Sequence, residues 1–96
     1  MMDWFAANLL FALVAMENKP TFVLYSKPGC PYCVRVRELL SEKGFEYSEH
    51  MLGSDFERPE FYAKFGEGST FPRVIMNGDL IGGCDDTLAY FAQKGW

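Results

Sequence analysis

Positive charge is scarce in this chain. Nine Lys and Arg stand against thirteen Asp and Glu, the net charge is −4 at pH 7, and no basic patch is visible. Phosphate recognition depends on clustered cations, so no nucleic-acid partner is expected. Cysteine is scarce too: three residues, an odd number, do not make the paired framework of a small secreted scaffold. A Cys-x-x-Cys pair in such a chain reads as a redox couple in a reducing compartment, which points to the cytoplasm. There is a single histidine, His50, with no partner in a His-x-x-x-His pattern. Of the four residues available to a zinc site (Cys30, Cys33, Cys84 and His50), only the first two have ligand-like spacing, so no metal is expected.

Long hydrophobic runs are missing as well. The longest, Trp4 to Met16, is interrupted by Asn8 and falls short of the roughly 20 residues that span a bilayer. No Lys or Arg precedes it, Asp3 carries the wrong charge for a signal-peptide n-region, and Ala15-Met16-Glu17 is a poor cleavage site. A membrane partner is therefore not expected. Residues 1–18 read as an apolar N-terminal extension, a helix from Asp3 as N-cap to Met16 that docks through Trp4, Phe5, Leu9, Phe11 and Leu13. An extension from an upstream start and a targeting segment stay open as alternatives, and Met16 is itself a candidate start. The rest, residues 19–96, is one domain's worth of chain. Its 49% hydrophobic and 17% aromatic content predicts a packed core rich in Phe and Tyr.

After the linker Asn18-Lys19-Pro20, the run Thr21-Phe22-Val23-Leu24-Tyr25 predicts a buried strand, which Ser26-Lys27-Pro28-Gly29 breaks. Pro31 suits a first helical position, Val36, Leu39 and Leu40 recur at helical spacing, and Gly44 closes the helix. Phe45, Tyr47 and Glu49 alternate with Glu46, Ser48 and His50, which predicts a second strand parallel to the first. Pro59, Phe61, Phe65 and Gly66 mark a second helix. Asn77-Gly78 between Arg73-Val74-Ile75-Met76 and Leu80-Ile81 is the favoured pair for a type I′ hairpin turn. A last helix follows Gly82-Gly83, with Asp85 or Asp86 near its start, Leu88, Phe91 and Ala92 facing inward, and Gly95 at its end.

The chemistry is concentrated in Cys30-Pro31-Tyr32-Cys33, two thiols at the junction of strand and helix. Attack on a disulfide needs a thiolate, and a free cysteine with a pKa of about 8.5 supplies only a small fraction of it at neutral pH. Cys30 falls where unpaired backbone N–H groups and the positive end of the helix dipole converge, with Lys27 adding a nearby positive charge. Cys30 is thus the candidate nucleophile, and Cys33, one turn inward, the resolving thiol. An inert buried pair or half of a metal site is the plainer alternative. Pro31 stiffens the loop between the sulfurs. Tyr32 is expected to be exposed, either flanking a substrate sulfur or serving as an ordinary surface aromatic.

Three separated motifs carry a resemblance: Lys27-Pro28-Gly29-Cys30-Pro31-Tyr32-Cys33, then Thr70-Phe71-Pro72, then Gly82-Gly83-Cys84-Asp85-Asp86. In this order they make the chain, from Lys19 to its end, resemble the dithiol branch of the glutaredoxin family. The resemblance implies an α/β, thioredoxin-like fold, a central four-stranded mixed sheet flanked by helices, here with the extra N-terminal helix. It implies a glutathione-dependent thiol-disulfide oxidoreductase, monomeric, with glutathione as co-substrate and protein disulfides as partners, ribonucleotide reductase being one such client. Thr70, Phe71 and Pro72 match the motif with a cis-proline, in which the Phe71 backbone pairs with the cysteine of glutathione. Many members carry valine at the position of Phe71. Gly83, Cys84 and Asp85 match the site for the γ-glutamyl end, with Asp85 and Asp86 acting merely as helix caps on the plainer reading, and Cys84 as a small packed hydrophobe. Lys27 matches the cation for the glycine carboxylate, assisted by Arg58. Two rivals remain. A [2Fe-2S] carrier would hold its cluster through Cys30 of two subunits and two glutathiones, but members dedicated to that role usually have Cys-Gly-Phe-Ser in place of this dithiol. A redoxin coupled to thioredoxin reductase is opposed by Lys27, Asp85 and Arg58.

Overall fold

The computed structural model describes residues 19–96, and the helix expected from Asp3 to Met16 lies outside the described residues. In chain order the elements are β1 (Thr21–Ser26), α1 (Pro31–Glu42), β2 (Glu46–Met51), α2 (Arg58–Phe65), β3 (Arg73–Met76), β4 (Asp79–Gly82) and α3 (Cys84–Lys94). The strands form one mixed sheet in the order β2-β1-β3-β4, with β1 parallel to β2 and antiparallel to β3, and β3 antiparallel to β4. This is the expected thioredoxin-like arrangement.

Its layers follow from the sequence of β1, which lies inside the sheet and is apolar on both faces. Phe22 and Leu24 on one face pack with Val36 and Leu40 of α1, Val74 of β3, and Cys84 and Phe91 of α3. Each such large apolar side chain removed from water contributes about 1.5–3 kcal/mol. On the other face Tyr25 meets Phe56, Phe61 and Phe65 at ring-centroid distances of 5.3, 6.4 and 5.0 Å, so α2 docks there through an aromatic layer.

The helix ends are set by glycine where the sequence places it. Gly44 takes φ 75°, which releases the Phe45 N–H to the Leu40 carbonyl at 2.9 Å and the Gly44 N–H to the Ser41 carbonyl at 3.1 Å. This is the doubly bonded glycine stop of a Schellman motif. Gly95 ends α3 in the same way, the Trp96 N–H donating to the Phe91 carbonyl at 2.9 Å while the two rings lie 5.1 Å apart. The Asn77-Gly78 turn has both residues at positive φ, 50° and 87°, as a type I′ turn requires.

One expected face is corrected. Leu88 and Ala92 of α3 are exposed, and the buried stripe runs through Cys84, Thr87 and Phe91. Phe91 is buried as expected, while the Thr87 hydroxyl donates to the Gly83 carbonyl at 2.8 Å, so a polar residue with its donor satisfied takes the inward place expected of Leu88.

Candidate active site

Cys30 is the N-cap of α1 and Pro31 its first helical residue. Gly29, at φ 68°, bends the loop into the helix. The Cys33 N–H donates to Cys30 Sγ at 3.2 Å and the Val34 N–H to the Cys30 carbonyl at 3.2 Å, so the cysteine itself caps the helix. Cys30 and Cys33 are disulfide-bonded, with Cα atoms 5.3 Å apart. Both are buried, and the first turn of α1 holds no acidic residue. Tyr32 is exposed, and the Arg35 guanidinium lies 5.7 Å from its ring centroid.

A cavity of about 360 Å³ opens beside this loop, lined by Tyr32, Thr70, Phe71, Pro72, Arg73, Gly83, Cys84, Asp85 and Asp86. The Phe71-Pro72 peptide bond is cis. Seven of the residues singled out from sequence therefore share one cavity wall: Tyr32, Thr70, Phe71, Pro72, Gly83, Cys84 and Asp85. Lys27 and Arg58 stand apart from that wall, but both reach the Phe71 ring, their charged groups 5.7 and 5.9 Å from its centroid.

At the start of α3 the two acids divide their work. Both are exposed and line the cavity, but Asp86 Oδ2 accepts the Gly83 N–H at 3.2 Å and so caps the helix, whereas Asp85 takes no part in that capping bond. Gly82, at φ 131°, carries no side chain because a Cβ would collide with the Asp86 carboxylate. Burial pushes the Cys84 thiol above its ordinary pKa, with Arg35 opposing and Asp85 adding to the rise. Such a thiol stays protonated and packs as a small apolar group.

Two features escaped the sequence reading. Arg73 Nε donates to the Thr70 carbonyl at 2.9 Å and its Nη2 to Thr70 Oγ1 at 3.1 Å, which fixes the residue ahead of Phe71. Glu49 on β2 accepts from Arg37 of α1 through Nε at 2.9 Å and Nη2 at 2.7 Å, and from the hydroxyl of fully buried Ser26 at 2.7 Å. The Arg37 hydrogen bonds hold the Glu49 carboxyl below the usual carboxylate range, against the opposing effect of burial and with help from Ser26. The same contact raises Arg37. This bidentate pair ties β1, β2 and α1 together on both sides of Cys30. Its signal in the sequence is Glu49 itself, a charge on the face that Phe45 and Tyr47 mark as inward.

Among the described residues no group of three or more His, Cys, Asp or Glu side chains is placed to hold a metal, and the His50 ring lies tilted against Tyr25, centroids 5.0 Å apart. Nor is any described helix long and apolar enough to cross a membrane.

Comparison with known proteins gives a consistent picture. The family model for glutaredoxin matches residues 22–81. The hybrid peroxiredoxin hyPrx5 of Haemophilus influenzae is 41% identical over 69 residues, 72% of this chain, although the chain spans only 28% of that longer protein. Glutaredoxin 3 of Escherichia coli (strain K12) is 36% identical over 72 residues, covering 75% of this chain and 87% of the relative. Among solved structures, a buckwheat glutaredoxin-glutathione complex superposes with a TM-score of 0.64 at 29% identity, over 77% of this chain and 69% of the other.

Proposed function

The chain belongs to the glutaredoxin family, and we propose that it is a glutathione-dependent thiol-disulfide oxidoreductase working through Cys30 and Cys33. The observation that carries this reading is the dithiol at the N-terminus of α1, with Tyr32 joining its loop to the cavity walled by Phe71-Pro72 and Gly83-Asp85.

The chemistry follows from where charge develops. Reduced Cys30 is a thiolate stabilised by the Cys33 N–H, the positive end of α1 and the Lys27 ammonium. It attacks the glutathione sulfur of a mixed disulfide, the client thiolate leaves and takes up a proton, and glutathione remains bonded to Cys30. A second glutathione thiolate attacks that bond, freeing the Cys30 thiolate and releasing oxidised glutathione. On a protein disulfide, the Cys30 thiolate attacks one client sulfur, the client S–S bond breaks and its other sulfur leaves as a thiolate that takes up a proton; Cys33, deprotonated, then attacks Cys30, breaking the mixed disulfide and releasing the second client thiol. The product is the bonded Cys30–Cys33 pair, which two glutathiones reduce in turn.

Glutathione spans the cavity on this reading. Its γ-glutamyl carboxylate meets the N–H groups at the start of α3 and its ammonium the Asp85 carboxylate. The Phe71 backbone pairs with its cysteine in strand fashion, and Lys27 and Arg58 face its glycine carboxylate. The buckwheat relative was solved with this tripeptide. Residues 19–96 form the working domain, a monomer acting on disulfide-bearing proteins in a reducing compartment such as the cytoplasm.

The test is a disulfide-reduction assay with glutathione and glutathione reductase. Wild type turns over both a small glutathione mixed disulfide and a protein disulfide. Cys33→Ser keeps the first activity and loses most of the second. A chain starting at Met16 keeps both. A wild type without activity on either substrate overturns the reading.

A further inference from the structure

We propose that Phe71 is a positioning residue for carboxylate recognition: its ring gathers Lys27 and Arg58 into one cationic notch that selects ligands ending there in a free carboxylate. The two cations come from separate parts of the chain, Lys27 from the loop between β1 and α1 and Arg58 from the first residue of α2. Both approach the Phe71 ring, at 5.7 and 5.9 Å from its centroid. Both distances lie within the roughly 6 Å reach of a cation–π contact.

The ring is held from beneath. It stacks on Phe61 at 4.1 Å with planes 14° apart and on Phe56 at 6.1 Å, and those two rings are themselves buried. A platform so anchored fixes two long side chains that would otherwise sample many rotamers, and it lowers the entropy lost when a ligand orders them. The negative face of the ring also offsets part of the repulsion between the cations. Among the described residues the ion pair is Arg37–Glu49, so the charges of Lys27 and Arg58 stay available to an anion. The Arg58 contact to Tyr62 Oη, at 3.5 Å, leaves its charge in place.

The inference deepens the glutathione reading and rests on it for the identity of the ligand. It is tested by binding, so that its failure stays separate from failure of the activity assay. The probes are S-methylglutathione and its glycine ethyl ester, titrated by NMR into the full chain. Wild type binds the acid more tightly than the ester. Phe71→Leu, which keeps the apolar bulk and removes the quadrupole, narrows that ratio by about two- to fivefold for each cation released. Phe71→Trp preserves the ratio, and Lys27→Gln combined with Arg58→Gln removes it. Equal binding of acid and ester by wild type, or a Phe71→Leu variant with the wild-type ratio, overturns the proposal. Should Phe71→Leu fail to fold, ring-current shifts in the unmutated chain decide: upfield side-chain protons at the tips of Lys27 and Arg58 are expected, and random-coil shifts for both contradict it.

Discussion

Cys30 and Cys84 both lie at the N-terminus of a helix, with nearly equal exposure, 4% and 6%. Their surroundings differ in charge. The first turn of α1 contains no acid and the loop before it carries Lys27, whereas α3 opens with Asp85 and Asp86. At α1 the backbone N–H of Cys33 points at the sulfur. At α3 the Gly83 N–H goes to Asp86, and burial keeps the Cys84 thiol protonated. A helix terminus alone therefore does not make a nucleophile. The dipole is worth about 0.3–1 kcal/mol at such a site, and burial together with Asp85 in the same turn outweighs it even with Arg35 nearby.

The sharpest way to break this comparison is to remove each sulfur in turn. Cys30→Ser abolishes turnover in the glutathione-coupled assay, while Cys84→Ser keeps most of it. Substantial activity in the first variant would mean that the roles are misassigned.

A smaller effect lies in the scaffold. In the chain, Cys30 lies between Ser26 at the end of β1 and Arg37 in α1, both bonded to Glu49, an arrangement with no counterpart at α3 among the described residues. Glu49→Ala should lower unfolding free energy by about 1–2 kcal/mol, since it leaves Arg37 and buried Ser26 without their acceptor. The pH dependence has a definite sign. Because the folded state holds the Glu49 carboxyl below its ordinary pKa, its contribution is complete above the usual carboxylate range and fades as pH falls through the depressed value. Urea unfolding of wild type and Glu49→Gln at pH 7 and in acid should show the gap between them closing at low pH. The smallest effect is at α3: Asp85→Asn should speed alkylation of Cys84 by only about two- to threefold, because burial remains the larger cause of its inertness.

Much of this architecture is readable in the chain because its punctuation is unambiguous. Pro31, Gly44, Asn77-Gly78 and Gly95 each stand where the backbone needs a fixed φ, a missing donor or a left-handed residue, and the elements between them follow. Long-range pairings are less legible. The Glu49–Arg37–Ser26 network depends on the parallel register that sets Leu24 opposite Glu49, and local spacing does not encode that register. Arg73 acts on Thr70 through the geometry of the cis-proline loop. On α3 Phe91 follows its apolar character inward, but Thr87 displaces Leu88 from the buried stripe because it hides its hydroxyl in the helix's own backbone, which an apolar count cannot register.

The most direct measurement is the pH dependence of alkylation of the reduced protein, followed separately at Cys30 and Cys84 by mass spectrometry. Half-reaction is expected at Cys30 well below the free-cysteine value of about 8.5, and at Cys84 above it. Superimposable curves for the two thiols, both at or above the free-cysteine value, would contradict it.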